Sequence, residues 1–179
     1  MEYLDIYDSE GKLTGIKKTK KEAHSEGLWH KAVHVWVVNS KKELLIQKRS
    51  PIVDSYPNKL DISAAGHVSA GEDDVTSALR EAEEEIGLKL TKKDLVKIGV
   101  IKQIHTPRAD YINNEINPIF IVKMDLNLNK IKKQVEEVSE VKYIPYKELK
   151  NLVENKGELF VPHPEEYKLL FDYLENKWN

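Results

Sequence analysis

The chain has 179 residues, a formal net charge of −2, 40% apolar and 32% charged residues, and no cysteine. That balance suits a single globular domain over 1–179 and argues against a nucleic-acid partner, and the missing thiol excludes disulfides, thiolate metal sites and cysteine nucleophiles. The acidic start "MEYLDIYDSEGKL" lacks the apolar core of a signal peptide, and no apolar run approaches the ~18 residues that cross a bilayer, so a cytoplasmic protein without a membrane partner is expected.

"YLDIYDSEGKLTGIKK" reads as two short strands around a polar turn, and "TKKEAHSEGLWH" as a short helix or irregular crossing. "KAVHVWVVN", rich in valine, is the strongest strand pattern, and "SKKE" turns it into the strand "LLIQKRS". Residues 51–59 carry two prolines and read as a loop, after which "DISAAGHVSAG" is a short strand entering a glycine-bounded loop. A helix follows from about Asp73 to Ile86, capped by Asp73 or Asp74 and stopped by Gly87. Its apolar positions Val75, Ala78, Leu79, Ala82 and Ile86 recur at helical spacing. "LVKIGVIKQIHT" and "INPIFIVKMDL" read as strands separated by the polar turn "PRADYINNE". After "EEVSEVKYIPY", a helix opens near Pro145-Tyr146, and "PEEYKLLFDYLENKW" is a final helix with Tyr167, Leu170, Phe171 and Leu174 on one stripe. Strands and helices mix without regular alternation, which predicts an α/β (α+β) fold: a mixed sheet with helices on both faces.

The chemistry concentrates on the central helix. Glu81, Glu84 and Glu85 stand at i+3 and i+4 spacing, so they share a face near the C-terminal half, where like charge and the helix dipole both work against them. A solvated acidic face is the ordinary explanation. A hard divalent cation such as Mg2+, with Mn2+ as the alternative, would resolve the conflict, since it takes carboxylate oxygens, waters and substrate phosphates.

The wider spacing is more specific. Gly66, Glu72, Arg80, Glu81, Glu84, Glu85 and Gly87 fit the pattern G-x5-E-x7-R-E-U-x-E-E-x-G-U over residues 66–88, with Leu88 at the last aliphatic position and Ala82 smaller than usual at the first. The segment therefore resembles the Nudix box. The resemblance implies an α/β/α sandwich with a mixed sheet, and a loop–helix–loop that holds divalent metal against a diphosphate. Glu81, Glu84 and Glu85 would be metal ligands, with the Gly66 carbonyl. Glu84 is also a catalytic candidate. Glu72 and Arg80 would pair to lock the loop, although an ordinary surface ion pair is the alternative. The expected reaction is metal-assisted hydrolysis of a small-molecule diphosphate, a nucleoside diphosphate linked to a group X or a related metabolite, by water attack on phosphorus. A homodimer is one expectation for assembly; the sequence leaves the oligomeric state open.

"EAHSEGLWHKAV", "AGHVSAGE" and "NNEINPIF" resemble a particular branch, type I isopentenyl-diphosphate isomerase and its hydrolase-like relatives. That resemblance implies a second metal site from His24, His30, His67 and Glu115, with Asn113 where the isomerases carry an acid, suited to Mn2+ or Zn2+. The isomerases place a catalytic cysteine immediately before the box; Ala65 stands there in this chain, so double-bond isomerisation lacks its apparatus and a hydrolase is expected. A non-catalytic sensor of a phosphometabolite is the reading from another class.

Each further candidate has a plainer alternative. His24 is also readable as a surface helix residue and His30 as a strand-end residue, whereas His67 lies inside the box loop. His34 alternates with Val33, Val35 and Val37 and reads as the strand's second face; His105 and His163 read as a strand end and a residue at a helix entrance. Glu115 is expected to open a strand and to serve as ligand or general base, the alternative being an exposed carboxylate. Lys48, Arg49 and Lys59 flank the loop before the box and are candidate phosphate grips, Arg49 foremost. Trp29, Tyr56 and Tyr111 are candidate stacking residues, with core packing favoured for Trp29.

Overall fold

A computed structural model describes residues 2–178, so the outermost residue at each end of the expected single domain lies outside it. The strands are β1 (Tyr3–Tyr7), β2 (Leu13–Thr19), β3 (Trp29–Val38), β4 (Glu43–Arg49), β5 (Leu60–Asp61), β6 (Ala64–His67), β7 (Val96–Arg108), β8 (Tyr111–Lys123) and β9 (Val138–Pro145). The helices are α1 (Lys20–Glu26), α2 (Asp74–Ile86), α3 (Tyr146–Asn155) and α4 (Pro164–Trp178).

β3 is the hub of the sheet. It runs parallel to β8 and antiparallel to β1, β4 and β6, while β7 extends the sheet beyond β8 and β9 beyond β4. Both faces of β3 are covered, which is why its sequence is apolar almost throughout. Val33, Val35 and Val37 enter a core with Leu45, Ala78, Ile86 and Phe120 beneath α2. Trp36 and Val38 enter the opposite core with Ile119, Ile121, Leu149, Tyr167, Leu170, Phe171 and Leu174 from β8, α3 and α4. The sheet is mixed and helices lie on both faces, as the sequence predicts.

Local signals account for the helix ends. Asp73 caps α2 by accepting from the Thr76 N–H at 2.8 Å, and Gly87 ends it in the left-handed region at φ 67°. Thr19 and Glu22 form a capping box at the start of α1. Pro164 opens α4, where its missing N–H costs nothing.

One boundary differs. The segment "PRADYINNE" is not a loop: β7 and β8 stay paired out to Arg108 opposite Tyr111, leaving Ala109 and Asp110 as the turn. Glu115 therefore sits inside β8, opposite Gln103, rather than at a strand start. Backbone pairing across a long hairpin overrides the polar composition that marks a turn.

Candidate active site

α2 packs its apolar stripe under the sheet and turns its acidic face toward β6. Glu81 and Glu85 are buried, at 9% and 5% exposure, while Glu84 has more than half of its side chain in solvent. Glu85 Oε2 accepts from the Ala65 N–H at 3.0 Å and from the Gln47 amide at 3.1 Å. Burial pushes the Glu85 carboxyl up to about 8, against the Ala65 N–H and with help from the charge of Glu81. Burial also raises Glu81, with Arg80 opposing. Gly66 makes the arrangement sterically feasible, because a Cβ built there would stand 2.1 Å from the Glu81 carboxyl carbon. The donors are hard oxygens crowded along one helix edge, with the Arg80 guanidinium the one cation bonded to them among the described residues, so the set fits a divalent cation.

Arg80 organises this end. Its Nε lies 3.3 Å from both Glu72 oxygens, its Nη2 donates to Glu72 at 3.1 Å and to the His67 carbonyl at 2.9 Å, and its Nη1 donates to Glu81 at 2.6 Å and Glu84 at 3.2 Å. Ser77 adds a 2.7 Å bond to Glu72. Arg80 uses Oε1 of Glu81 and Oε2 of Glu84, and Glu85 uses Oε2 toward β4 and β6, so each carboxylate keeps a second oxygen outside these bonds.

His24, His30 and His67 meet although they come from α1, β3 and β6. His24 Nε2 and His30 Nε2 are 3.2 Å apart, and suitable nitrogens of His24, His30 and His67 lie within 4.8 Å of one another. Glu115 lies 3.9 Å from His67 Nε2. Burial, reinforced by His30, lowers His24 to about 4, and burial, reinforced by Lys20 and His30, takes His67 well below its usual value. Burial also works against ionised Glu115, but His30, His67 and His34 outweigh it and, with the Gln103 amide, hold it low. Asn113, Gln103 and Asn117 amides all donate to it, at 2.6, 3.1 and 3.2 Å. Three imidazoles beside one carboxylate, with His67 Nε2 buried and unpartnered, fit a transition metal.

Glu81, Glu84, Glu85, His67 and Glu115 all line one cleft of about 690 Å³, whereas His24 and His30 lie behind His67 and Glu115 and do not line it. Of the three cationic candidates only Arg49 lines the cleft, held by Asp61 at 3.1 Å and the Ser55 carbonyl at 3.0 Å. Lys48 alternates with Gln47 onto the other face of β4, and Lys59 is bonded to the Glu158 carbonyl, so neither reaches the cleft. Tyr56 and Tyr111 line it, and Trp29, half-buried under Lys102, does not. Lys20 and Asp61, which the sequence reading did not single out, line the cleft, as do His34, His105 and His163, to which it gave plainer structural roles. Alternation in β3 marked His34 as facing away from the valines, but nothing local to it reveals Glu166, its partner 132 residues away.

The NUDIX domain model matches residues 28–162. Nudix hydrolase 3 of Arabidopsis thaliana is 41% identical over 98% of this chain, which spans only 24% of that longer protein. An uncharacterised Nudix hydrolase of Clostridium acetobutylicum is 36% identical over 87% of this chain and 75% of its own. Among solved structures, a Deinococcus radiodurans protein superposes with TM-score 0.68 at 18% identity, covering 96% of this chain and 98% of its own. The NUDIX domain of Shewanella oneidensis NrtR, complexed with ADP-ribose, gives 0.59 at 14%, covering 80% and 86%. A box whose spacing puts Gly66 against Glu81 and Arg80 against Glu72, on the fold these relatives share, has one reading: the chain belongs to the Nudix family, hydrolases of acid anhydrides.

Proposed function

We propose that this chain is a divalent-metal-dependent hydrolase that cleaves a diphosphate linkage in a nucleoside diphosphate-X or related metabolite by water attack on phosphorus. The observation that carries the reading is the pair of buried carboxylates, Glu81 and Glu85, held open toward one cleft by Gly66 and the Ala65 N–H. Glu81, Glu84, Glu85 and the Gly66 carbonyl would hold Mg2+, or Mn2+. Bound there, the ion supplies charge neutralisation of the phosphates and acidification of water. Arg49 faces the same cleft and grips phosphate; Arg80 and Glu72 lock the loop that carries Gly66 and His67. Glu84, the carboxylate nearest solvent, and Glu115, held ionised, are the candidate general bases.

His24, His30, His67 and Glu115 form a second metal site in this proposal, as the resemblance to the isomerase branch implies. Ala65 has no proton to give, so isomerisation is not supported; a pure sensor has no need of buried acidic residues that resist ionisation.

The test is a panel of diphosphate metabolites with Mg2+ or Mn2+ in 18O-water, read by mass spectrometry. Label in a phosphate product is expected. Migration of the double bond in isopentenyl diphosphate, or binding without product across the panel, would overturn the proposal.

A further inference from the structure

Beyond the α2 carboxylates the cleft reaches a floor that the proposed hydrolysis leaves unused. His34, His105 and His163 pack there edge to face, with ring centroids 5.2 Å apart for His34 and His163 and 5.5 Å for His105 and His163. All three are buried, His34 at 3% and His105 at 9% exposure. His34 Nδ1 lies 2.6 Å from Glu166 Oε2, and the other Glu166 oxygen accepts from Trp36 Nε1 at 2.8 Å. Burial opposes a charge on His34, but Glu166 overcomes it and pushes the imidazole up to about 9. His163 is already engaged at both nitrogens, by Asp61 and by the Gln103 carbonyl oxygen, each at 3.1 Å. A metal held by His34, His163 and Glu166 would have to break these bonds, so the cluster is a hydrogen-bonded platform.

Two groups on this platform are left over. His34 lines the cleft with Nδ1 committed to Glu166, so Nε2 is its spare edge. His105 Nε2 is buried and has no hydrogen-bond partner. A charged imidazole can only donate, and a buried unpaired polar nitrogen costs free energy until something pairs with it. We propose that His34 and His105 form the recognition subsite for X, the part of the substrate beyond the diphosphate, and that they select an oxygen-rich, hydroxylated X over a hydrocarbon one. This rests on the hydrolase reading of the cleft and adds a substrate class to it. A hydroxyl of X accepts from His34 and pairs with His105; an alkyl or allyl group would bury both unpaired, the situation in which polar pockets discriminate most strongly.

The test compares kcat/KM with Mg2+ on ADP-ribose and UDP-glucose, as hydroxylated probes, against isopentenyl diphosphate, as the hydrocarbon probe. His34→Gln removes the charged donor but strands Glu166 without its counter-charge and risks misfolding. His105→Phe keeps an aromatic ring and gives up no hydrogen bond, so it carries the test if His34→Gln fails to fold. The expected result is at least about a 100-fold preference for one hydroxylated probe, with its KM raised about tenfold in His105→Phe, kcat largely kept and the preference narrowed. Equal or faster cleavage of isopentenyl diphosphate, or an unchanged KM in His105→Phe, would overturn the subsite while leaving the hydrolase. If no probe is cleaved, calorimetric binding of ADP-ribose or UDP-glucose that weakens in His105→Phe upholds the subsite and sinks the hydrolase; neither cleavage nor binding sinks both.

Discussion

The carboxyl carbon of Glu81 lies 2.1 Å from where a side chain at Gly66 would begin. No real Cβ tolerates such an approach, so the Glu81 carboxylate can lie in this place against β6 only because position 66 has no side chain. Gly66→Ala is expected to displace the Glu81 carboxylate, to cost about 1–3 kcal/mol through overpacking, and to lower phosphate release by more than the stability loss explains. Activity assayed well below the melting temperature separates the two effects; full activity in a stable Gly66→Ala protein would contradict the role given to Glu81.

Glu85→Gln keeps shape and hydrogen-bonding capacity while removing a charge that burial disfavours. The variant is expected to melt at the same temperature as the parent or higher in metal-free buffer, and to lose about 100-fold or more in phosphate release. An unchanged rate would refute the ligand role.

Arg80 bonds Glu72, Glu81, Glu84 and the His67 carbonyl at once. Arg80→Ala leaves Glu81 buried without its partner, an expected loss of about 1–3 kcal/mol. Glu72→Gln should cost less, and the two should be non-additive in a double-mutant cycle by denaturant unfolding; simple additivity would show that the pair does not act as one unit.

Stability should fall with rising pH on account of His34. The folded imidazole titrates at about 9 against 6.5 for a free histidine. Between those values the folded chain holds a proton that the unfolded chain has lost, so the contribution is complete below pH ~6.5 and disappears toward pH ~9, up to about 3 kcal/mol. Glu85, raised by burial, acts with the same sign. Thermal melts from pH 6 to 9 in metal-free buffer should therefore decline, and decline less in His34→Gln; parallel slopes would count against the His34–Glu166 pair.

Two donor sets of different hardness predict two classes of metal binding. Co2+ titrated into the parent should give a d–d absorption band from the nitrogen-rich set, lost in His30→Ala, while Mg2+ thermal stabilisation persists in that variant and is lost in Glu85→Gln. A cobalt band indifferent to His30→Ala would remove the second site.

The sequence by itself determined what depends on near neighbours along the chain. Asp73 and Gly87 bound α2 because caps act within one helical turn, and i+3 and i+4 spacing placed Glu81, Glu84 and Glu85 together because a helix repeats every 3.6 residues. The valine run marked β3, and the fixed spacing of the box paired Glu72 with Arg80, the bond that the fold makes. Tertiary structure alone decided which groups share the cleft. Lys48 and Arg49 are adjacent, yet strand parity and pairing send one away and one in. Trp36 and Glu166 stand 130 residues apart and bond at 2.8 Å. Such pairings form when distant elements pack against one another, and nothing in the local residue pattern encodes that distance.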